Sequence, residues 1–261
     1  WARSAFYQSG GAYGYRDQLQ DVMALAVIRP EITKKQIVLH SSRQFPEGDV
    51  QHWWHPETGK GIRTKFSDDL LWLPYVTADY IRHTGDYTIL EDMTPFLEQD
   101  LLKPEEDERY DIPKVSREVA TVYDHCVRAI DRSLMFGQHG LPLIGTGDWN
   151  DGFSAVGREG KGESVWLGWF LLTILKDFIP ICKVKEDYER VQKYEEIIED
   201  LAKSIEKYAW DGSWYRRAYY DDGTPLGTMA GSECQIDSIA QSWAVISGFA
   251  KKSRMSDAML A

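Results

Sequence analysis

Two carboxylates stand three positions apart in Gly145-Thr146-Gly147-Asp148-Trp149-Asn150-Asp151-Gly152, with an indole and an amide between them and glycines on both sides. These are the residue types that chemistry on sugars needs. An indole offers a flat face to a pyranose ring, a carboxylate donates or takes a proton at a glycosidic oxygen, and glycine lets backbone approach a ligand closely. A loop whose Asp and Asn merely satisfy turn backbone has the same composition. The octapeptide alone leaves both readings open.

Other clusters have a similar character. Arg16-Asp17 follow Gly14-Tyr15 at the start of an apolar helix, where Asp17 is either an N-cap or, with Arg16, a donor and acceptor pair for sugar hydroxyls. The stretch from Gln44 to His55 is dense in polar and aromatic groups, and its His52 and Trp54 are candidates for carbohydrate contact. His52 and His55 have no Cys, His or Glu at helix spacing, so no metal site is expected. Asp68-Asp69 read as helix-capping carboxylates in preference to a catalytic pair. Glu233 reads either as a solvated loop residue or as a second carboxylate facing the same cleft. Gly10-Gly11 and Gly145-Thr146-Gly147 lack the Lys-Ser/Thr and the preceding strand of a phosphate loop.

Helices must position most of these groups. In 116 to 136, Val119, Val122, Tyr123, Cys126, Val127, Ile130 and Leu134 follow the i, i+3, i+4, i+7 rule, and 187 to 208 repeats the pattern with a charged outer face. Segments 17 to 28, 68 to 84, 165 to 179 and 238 to 249 are apolar nearly all round, as buried helices are. Pro30 is expected to stop the first of these, and Ser67 or Asp68 to cap the second. Strand signals are confined to short pieces such as Trp214 to Tyr220, whose following Asp-Asp-Gly suggests a hairpin. Inner and outer helices alternating between the long loops 43 to 67, 137 to 163 and 209 to 237 predict an all-α (α/α)6 toroid with minor β-hairpins. Roughly seven or eight helices are readable, too few to close a twelve-helix ring, and no fixed period supports a solenoid.

The 261 residues, 43% hydrophobic and 13% aromatic, suffice for one large domain with a real core. A net charge of −11 argues against a nucleic-acid partner, which needs a basic footprint. Any phosphate must therefore meet a local cluster of positive charge. Cys126, Cys182 and Cys234 form no ligand motif and suit a reducing compartment. No run of eighteen or more apolar residues predicts a membrane span. The absence of an initiator Met and of a signal pattern leads us to expect a piece of a larger polypeptide.

Arg3-Ser4-Ala5, Gly14-Tyr15-Arg16-Asp17, Phe66-Ser67-Asp68-Asp69-Leu70-Leu71-Trp72-Leu73, Asp148-Trp149-Asn150-Asp151 and Gln241-Ser242-Trp243-Ala244-Val245-Ile246-Ser247-Gly248 together resemble glycoside hydrolase family 94, the inverting phosphorylases, in the family's own order. Tyr7 to Asp21, Gly48 to Trp54 and Ile236 to Gln241 are most similar to the 1,2-β-oligoglucan phosphorylases and to the phosphorylase-like domain of cyclic β-1,2-glucan synthases.

The resemblance implies Asp151 as general acid, with Trp149, Arg16 and Asp17 holding the sugar whose bond is cut. Asp148, His52, Trp54, Glu233 and Gln241 would be further substrate contacts, and Arg3 would hold phosphate. To act as acid, Asp151 needs a desolvated setting beside Trp149 and a like charge on Asp148. Inorganic phosphate would be a co-substrate, with no cofactor or metal. Only Gly10-Gly11-Ala12-Tyr13 stands where cellobiose phosphorylases carry a longer segment with another Arg, which points away from cellobiose.

The chain would then be part of the (α/α)6 catalytic domain, without the family's N-terminal β-sandwich and its C-terminal remainder, and inactive alone. Its partners would be an oligosaccharide, phosphate, the rest of the parent polypeptide and, as a homodimer, a second copy. It would lie in the cytoplasm, or on the cytoplasmic face of the inner membrane in a cyclic glucan synthase. Two other functions fit the same residues: an inverting hydrolase with Glu233 as base, and a glucan-binding module that cuts no bond.

Overall fold

Helices form where burial recurs every third or fourth residue, and small antiparallel sheets fill the stretches between them. The computed structural model describes residues 10–261, and the chain divides into two units, Trp1–Ser133 and Leu134–Ala261.

In the first unit, strand β1 (Tyr13–Gly14) leads into helix α1 (Tyr15–Met23), followed by α2 (Pro30–Ser41), β2 (Gln51–Trp54), β3 (Gly61–Thr64) and α3 (Trp72–Thr84). Then come β4 (Met93–Glu98), β5 (Glu108–Asp111), β6 (Lys114–Thr121) and α4 (Val122–Ser133). β1, β2, β3 and β5 make one antiparallel sheet in that order, and β4 pairs with β6. The helices α1 to α4 pack on one another around Leu19, Val22, Ile37, Leu71, Val76 and Ile130, all buried.

The second unit contains β7 (Glu163–Ser164), α5 (Val165–Val184), α6 (Tyr188–Ser204), β8 (Ala218–Tyr219), β9 (Pro225–Leu226), α7 (Ser238–Ser247) and α8 (Lys252–Leu260). β7, β8 and β9 form a three-stranded sheet, with β8 and β9 joined through Asp221-Asp222-Gly223-Thr224 as the expected hairpin. α5 packs against α6 and α7. It is long and apolar enough to cross a membrane, but 83% of its apolar window is buried by protein neighbours, which accounts for its composition. Ser164 and Asp187 cap α5 and α6, accepting from Leu167 N and Arg190 N.

Several sequence expectations need correction. Pro30 does not end a helix: α1 stops at Met23, and Pro30 is the first residue of α2, where its missing N–H costs nothing. α2 escaped the apolar pattern because its buried positions Thr33, Gln36, Ile37, His40 and Ser41 have helical spacing but are mostly polar. Residues 116 to 121 belong to β6, not to a helix, and Val119 is exposed on that strand. There is thus more sheet than the sequence foretold, although the chain remains mainly helical.

Two buried histidines hold first-unit elements together. His125 on α4 donates from Nδ1 to Gln44 Oε1 at 2.7 Å, and its Nε2 lies 2.9 Å from Thr94 Oγ1; Gln44 Nε2 donates back to the His125 carbonyl. His40 Nδ1 donates to the Gln36 carbonyl at 2.8 Å. Burial holds both rings neutral, His40 pulled down to about 3 and His125 to about 4, against about 6.5 for a free imidazole. The unfolded chain therefore binds protons that the folded chain refuses, and stability falls as pH drops from about 6.5 toward 4. For His125 the full effect is on the order of 3 kcal/mol. Urea midpoints should be flat above pH 7 and decline below about 6.5. His125→Gln should lower the midpoint at pH 7 and make the acid decline shallower; an equally steep decline would remove His125 from the account.

Candidate functional site

The loop from Gly145 to Gly152 is built by its own side chains. Gly145 has a φ of 62°, and a Cβ on Gly157 would stand 2.4 Å from the Gly145 carbonyl oxygen, so glycines permit both the turn and the close approach. Asp148 Oδ1 accepts from Asn150 N at 3.1 Å, and Asn150 Oδ1 accepts from Gly152 N at 3.0 Å. Asp148 and Asn150 thus satisfy turn backbone, as Asp and Asn commonly do in loops. Trp149 and Asp151, at the alternate positions, are exposed, Trp149 to 47%. The desolvated setting expected for Asp151 is not supplied by the described residues.

Asp148 is fully buried, and its partner is Arg217, a residue the sequence analysis did not single out. The guanidinium forks onto both carboxylate oxygens, with Nη1 to Oδ2 at 2.6 Å and Nη2 to Oδ1 at 2.5 Å, while Nε reaches Asp237 Oδ2 at 3.0 Å. Ser164 Oγ donates to Asp148 Oδ2 at 2.6 Å and accepts from Leu167 N. Asp237 in turn caps α7 by accepting from Ile239 N. The two carboxylates on Arg217 outweigh its burial and hold its pKa above the usual arginine value. Asp148 is therefore a buried brace, not a group open to substrate. The signal that could have found Arg217 is a long basic residue set among the β-prone aromatics of the 214 to 220 hairpin.

The first unit also carries buried arginines, Arg16 and Arg63, the latter forked onto Asp49 from Nε and Nη2 at 2.6 and 2.7 Å. Arg16 Nη1 donates to both oxygens of Asp68 at 3.1 Å, and Trp72 Nε1 donates to Asp68 Oδ2 at 3.1 Å. Asp69 Oδ1 lies 4.0 Å from Arg16 Nη1, and Asp69 Oδ2 accepts from His52 Nδ1 at 2.7 Å. A bulge in β2 between Gln51 and Trp53 gives His52 an extra position in the strand, next to Asp69. The buried Asp69 Oδ1 has no hydrogen-bond donor, which leaves an acceptor beside a guanidinium and an imidazole. Asp68 stands at the N-cap position of the short 3-10 turn Asp69–Leu71, but its side chain makes no capping bond there, and Leu71 takes the N-cap position of α3. Asp17 is not an N-cap; Gly14 takes that place, and Asp17 sits half-buried in the first turn of α1.

Two expected sugar contacts are buried in structural roles. Trp54 is fully enclosed, its ring edge-on to Tyr13, Tyr15 and His40 at 5.2 to 6.5 Å; a ring with no free face cannot stack on a pyranose. Its neighbour Trp53 is the partly open one, packed on Tyr110 and His55. Gln241 is spent on backbone: its amide donates to the carbonyls of Tyr215 and Asp237, and its Oε1 accepts from Tyr215 N. Glu233 is exposed, and Arg3 lies outside the described residues. Among the described residues no cluster of His, Cys, Asp or Glu is arranged to hold a metal.

The catalytic-domain model of the glycosyl hydrolase 94 superfamily matches residues 1–261. The chain is similar to the cyclic beta-(1,2)-glucan synthase NdvB of Rhizobium meliloti, 49% identical over 99% of this chain and 9% of that protein. It is 30% identical to the 3-O-beta-D-glucopyranosyl-beta-D-glucuronide phosphorylase of Paenibacillus borealis, over 94% of this chain and 30% of that protein. Its identity to the 1,2-beta-oligoglucan phosphorylase of Listeria innocua is 26% over 71% of this chain and 17% of that one. The chain thus spans about a tenth to a third of the length of these relatives. A GH78 family rhamnosidase of Bacillus sp. GL1 shares the fold, with a TM-score of 0.62 at 14% identity over 94% of this chain and 22% of that one.

Burial sets the expected cost of losing each carboxylate. Asp68→Ala leaves a buried guanidinium without its partner and should destabilise by about 3–5 kcal/mol, whereas Asp151→Asn, on an exposed loop, should stay within about 0.5 kcal/mol. Urea denaturation of the two variants checks this. Equal losses would contradict the division.

Proposed function

The chain belongs to the glycosyl hydrolase 94 superfamily, and on that premise we propose that it carries part of an (α/α)6 toroid that cleaves β-glucosidic bonds with inorganic phosphate, taking β-1,2-linked oligoglucans as substrate. The observation that carries the reading is the pinned loop of residues 145–152, which buries Asp148 against Arg217 while leaving Trp149 and Asp151 exposed. The linkage rests on the identity to the β-(1,2)-glucan synthase and on the matched 1,2-β-oligoglucan phosphorylase.

In this mechanism the sugar stacks on the Trp149 indole, and its arrival shields the neighbouring Asp151 carboxyl from water. Asp151 then gives its proton to the glycosidic oxygen as the bond to C1 breaks. Phosphate attacks C1 from the opposite face, so a β-glucoside yields α-glucose 1-phosphate and a shortened oligosaccharide. An inverting hydrolase would instead need a second carboxylate about 6.5 to 9.5 Å from the acid to activate water; phosphate is already nucleophilic and replaces it. Asp148 cannot serve as that base while both its oxygens are held by Arg217. The first unit offers its own proposed set of hydroxyl ligands, Arg16, Asp17, Asp69 and His52, with the unmatched Asp69 Oδ1 as one acceptor. Arg3 is the proposed phosphate ligand, its fork matching two phosphate oxygens.

The test uses the intact protein with β-1,2-linked gluco-oligosaccharides and inorganic phosphate, followed by assay of glucose 1-phosphate. Turnover should require phosphate, and Asp151→Asn should lower it by about 10²- to 10⁴-fold, the worth of a general acid. Turnover without phosphate, or near-normal rates in Asp151→Asn, would overturn the reading.

A further inference from the structure

The stretch that carries Asp151 is exposed, and its position depends on how its two ends are held. Trp149 to Gly152 form an exposed arch, and exposed arches wander unless both ends are tied. One side chain touches both ends. Arg217 grips Asp148 at the start of the arch through two hydrogen bonds of 2.6 and 2.5 Å, and its guanidinium carbon lies 4.7 Å from the centre of the Phe153 ring at the end of it. Within the arch, Asn150 N and Gly152 N are bonded to the side chains of Asp148 and Asn150.

The guanidinium is itself immobilised from behind. Arg217 is 1% exposed, its backbone N donates to the Leu226 carbonyl in the β8–β9 hairpin, and its carbonyl accepts from Val165 N at the head of α5. Its Nε reaches Asp237 Oδ2, and its Nη1 is 3.2 Å from Ser164 Oγ; these two residues cap α7 and α5. Gly227 is required for this fit, since a Cβ there would stand 2.7 Å from the Arg217 backbone nitrogen. The arch is therefore referenced to two helix N-termini and a sheet through one planar cation.

We propose that Arg217 is a positioning residue for the general acid: by holding Asp148 with its fork and Phe153 with its face, it fixes where the Asp151 carboxyl meets the glycosidic oxygen. This rests on the reading of Asp151 as acid, and it adds a residue outside the loop whose chemistry is entirely indirect. Lysine keeps the charge but can neither fork onto Asp148 nor lie flat against Phe153.

The experiment compares wild type, Arg217→Lys, Phe153→Leu and Asp151→Asn in the intact protein, with phosphorolysis of two aryl β-glucosides, one with a strongly acidic phenol and one with a weakly acidic phenol. A misplaced acid matters only where the leaving group needs a proton. Arg217→Lys should lower kcat for the weakly acidic phenol by about 10²-fold, with KM nearly unchanged and the strongly acidic phenol much less affected. Phe153→Leu, which leaves the ion pair in place, should show the same leaving-group dependence at smaller size. Added to Asp151→Asn, Arg217→Lys should cause little further loss. Equal losses for both phenols, or losses that simply add to those of Asp151→Asn, would overturn the proposal.

A second measurement stands apart from activity. In Arg217→Lys, amide hydrogen exchange should quicken at residues 150 to 153 while α5 keeps its protection. Unchanged exchange in the arch would overturn the positioning role. Quickened exchange in Arg217→Lys, together with no phosphate-dependent cleavage by the wild-type protein, would uphold the clamp and overturn the assigned reaction instead.

Discussion

Buried guanidiniums bonded to carboxylates are the constraint on which the rest of this structure depends, and both units contain them. Taking either ion out of water costs several kcal/mol, recovered only if geometry is close and the remaining donors are satisfied. Arg217 meets that demand with Asp148, Asp237 and Ser164; Arg16 meets it with Asp68 and the nearby Asp69. Such pairs add little net stability over apolar packing, but they tolerate few alternative arrangements. What they supply here is placement, since each stands beside groups that could act on a sugar.

The same constraint sorts the carboxylates. In the 145 to 152 loop the first aspartate is buried and bonded to its arginine and to the turn, whereas the second is exposed, as is Trp149. In the Asp68-Asp69 pair, one carboxylate takes the guanidinium and the indole of Trp72, while the other holds His52 and retains a buried oxygen with no donor. Adjacent or nearly adjacent acids thus differ in their bonding because their surroundings differ.

Much of this was legible from residue order alone, where apolar spacing is the controlling signal. α3, α5, α6 and α7 lie where their apolar runs put them, and the Asp-Asp-Gly turn closes the β8–β9 hairpin. The reading failed where polar groups are buried. α2 presents Gln36, His40 and Ser41 inward, and no apolar stripe advertises it. Trp54 and Gln241 were chosen for residue type as sugar contacts, but burial turned one into core and the other into a backbone brace. Arg217 went unnoticed because its partners stand 69 and 20 positions away, and no local pattern encodes a contact of that range. Asp68 was misjudged for the same reason: its partner Arg16 is 52 residues upstream.

The central claim is that phosphate, not water, meets the anomeric carbon as a carboxyl protonates the departing oxygen, and its most direct test is stereochemical. Proton and phosphorus NMR of the first product formed by the intact protein from a β-1,2-linked gluco-oligosaccharide and inorganic phosphate would read configuration and composition together. The account predicts α-glucose 1-phosphate as the initial sugar product. Free glucose as the first product, or the β-anomer of the sugar phosphate, would contradict it.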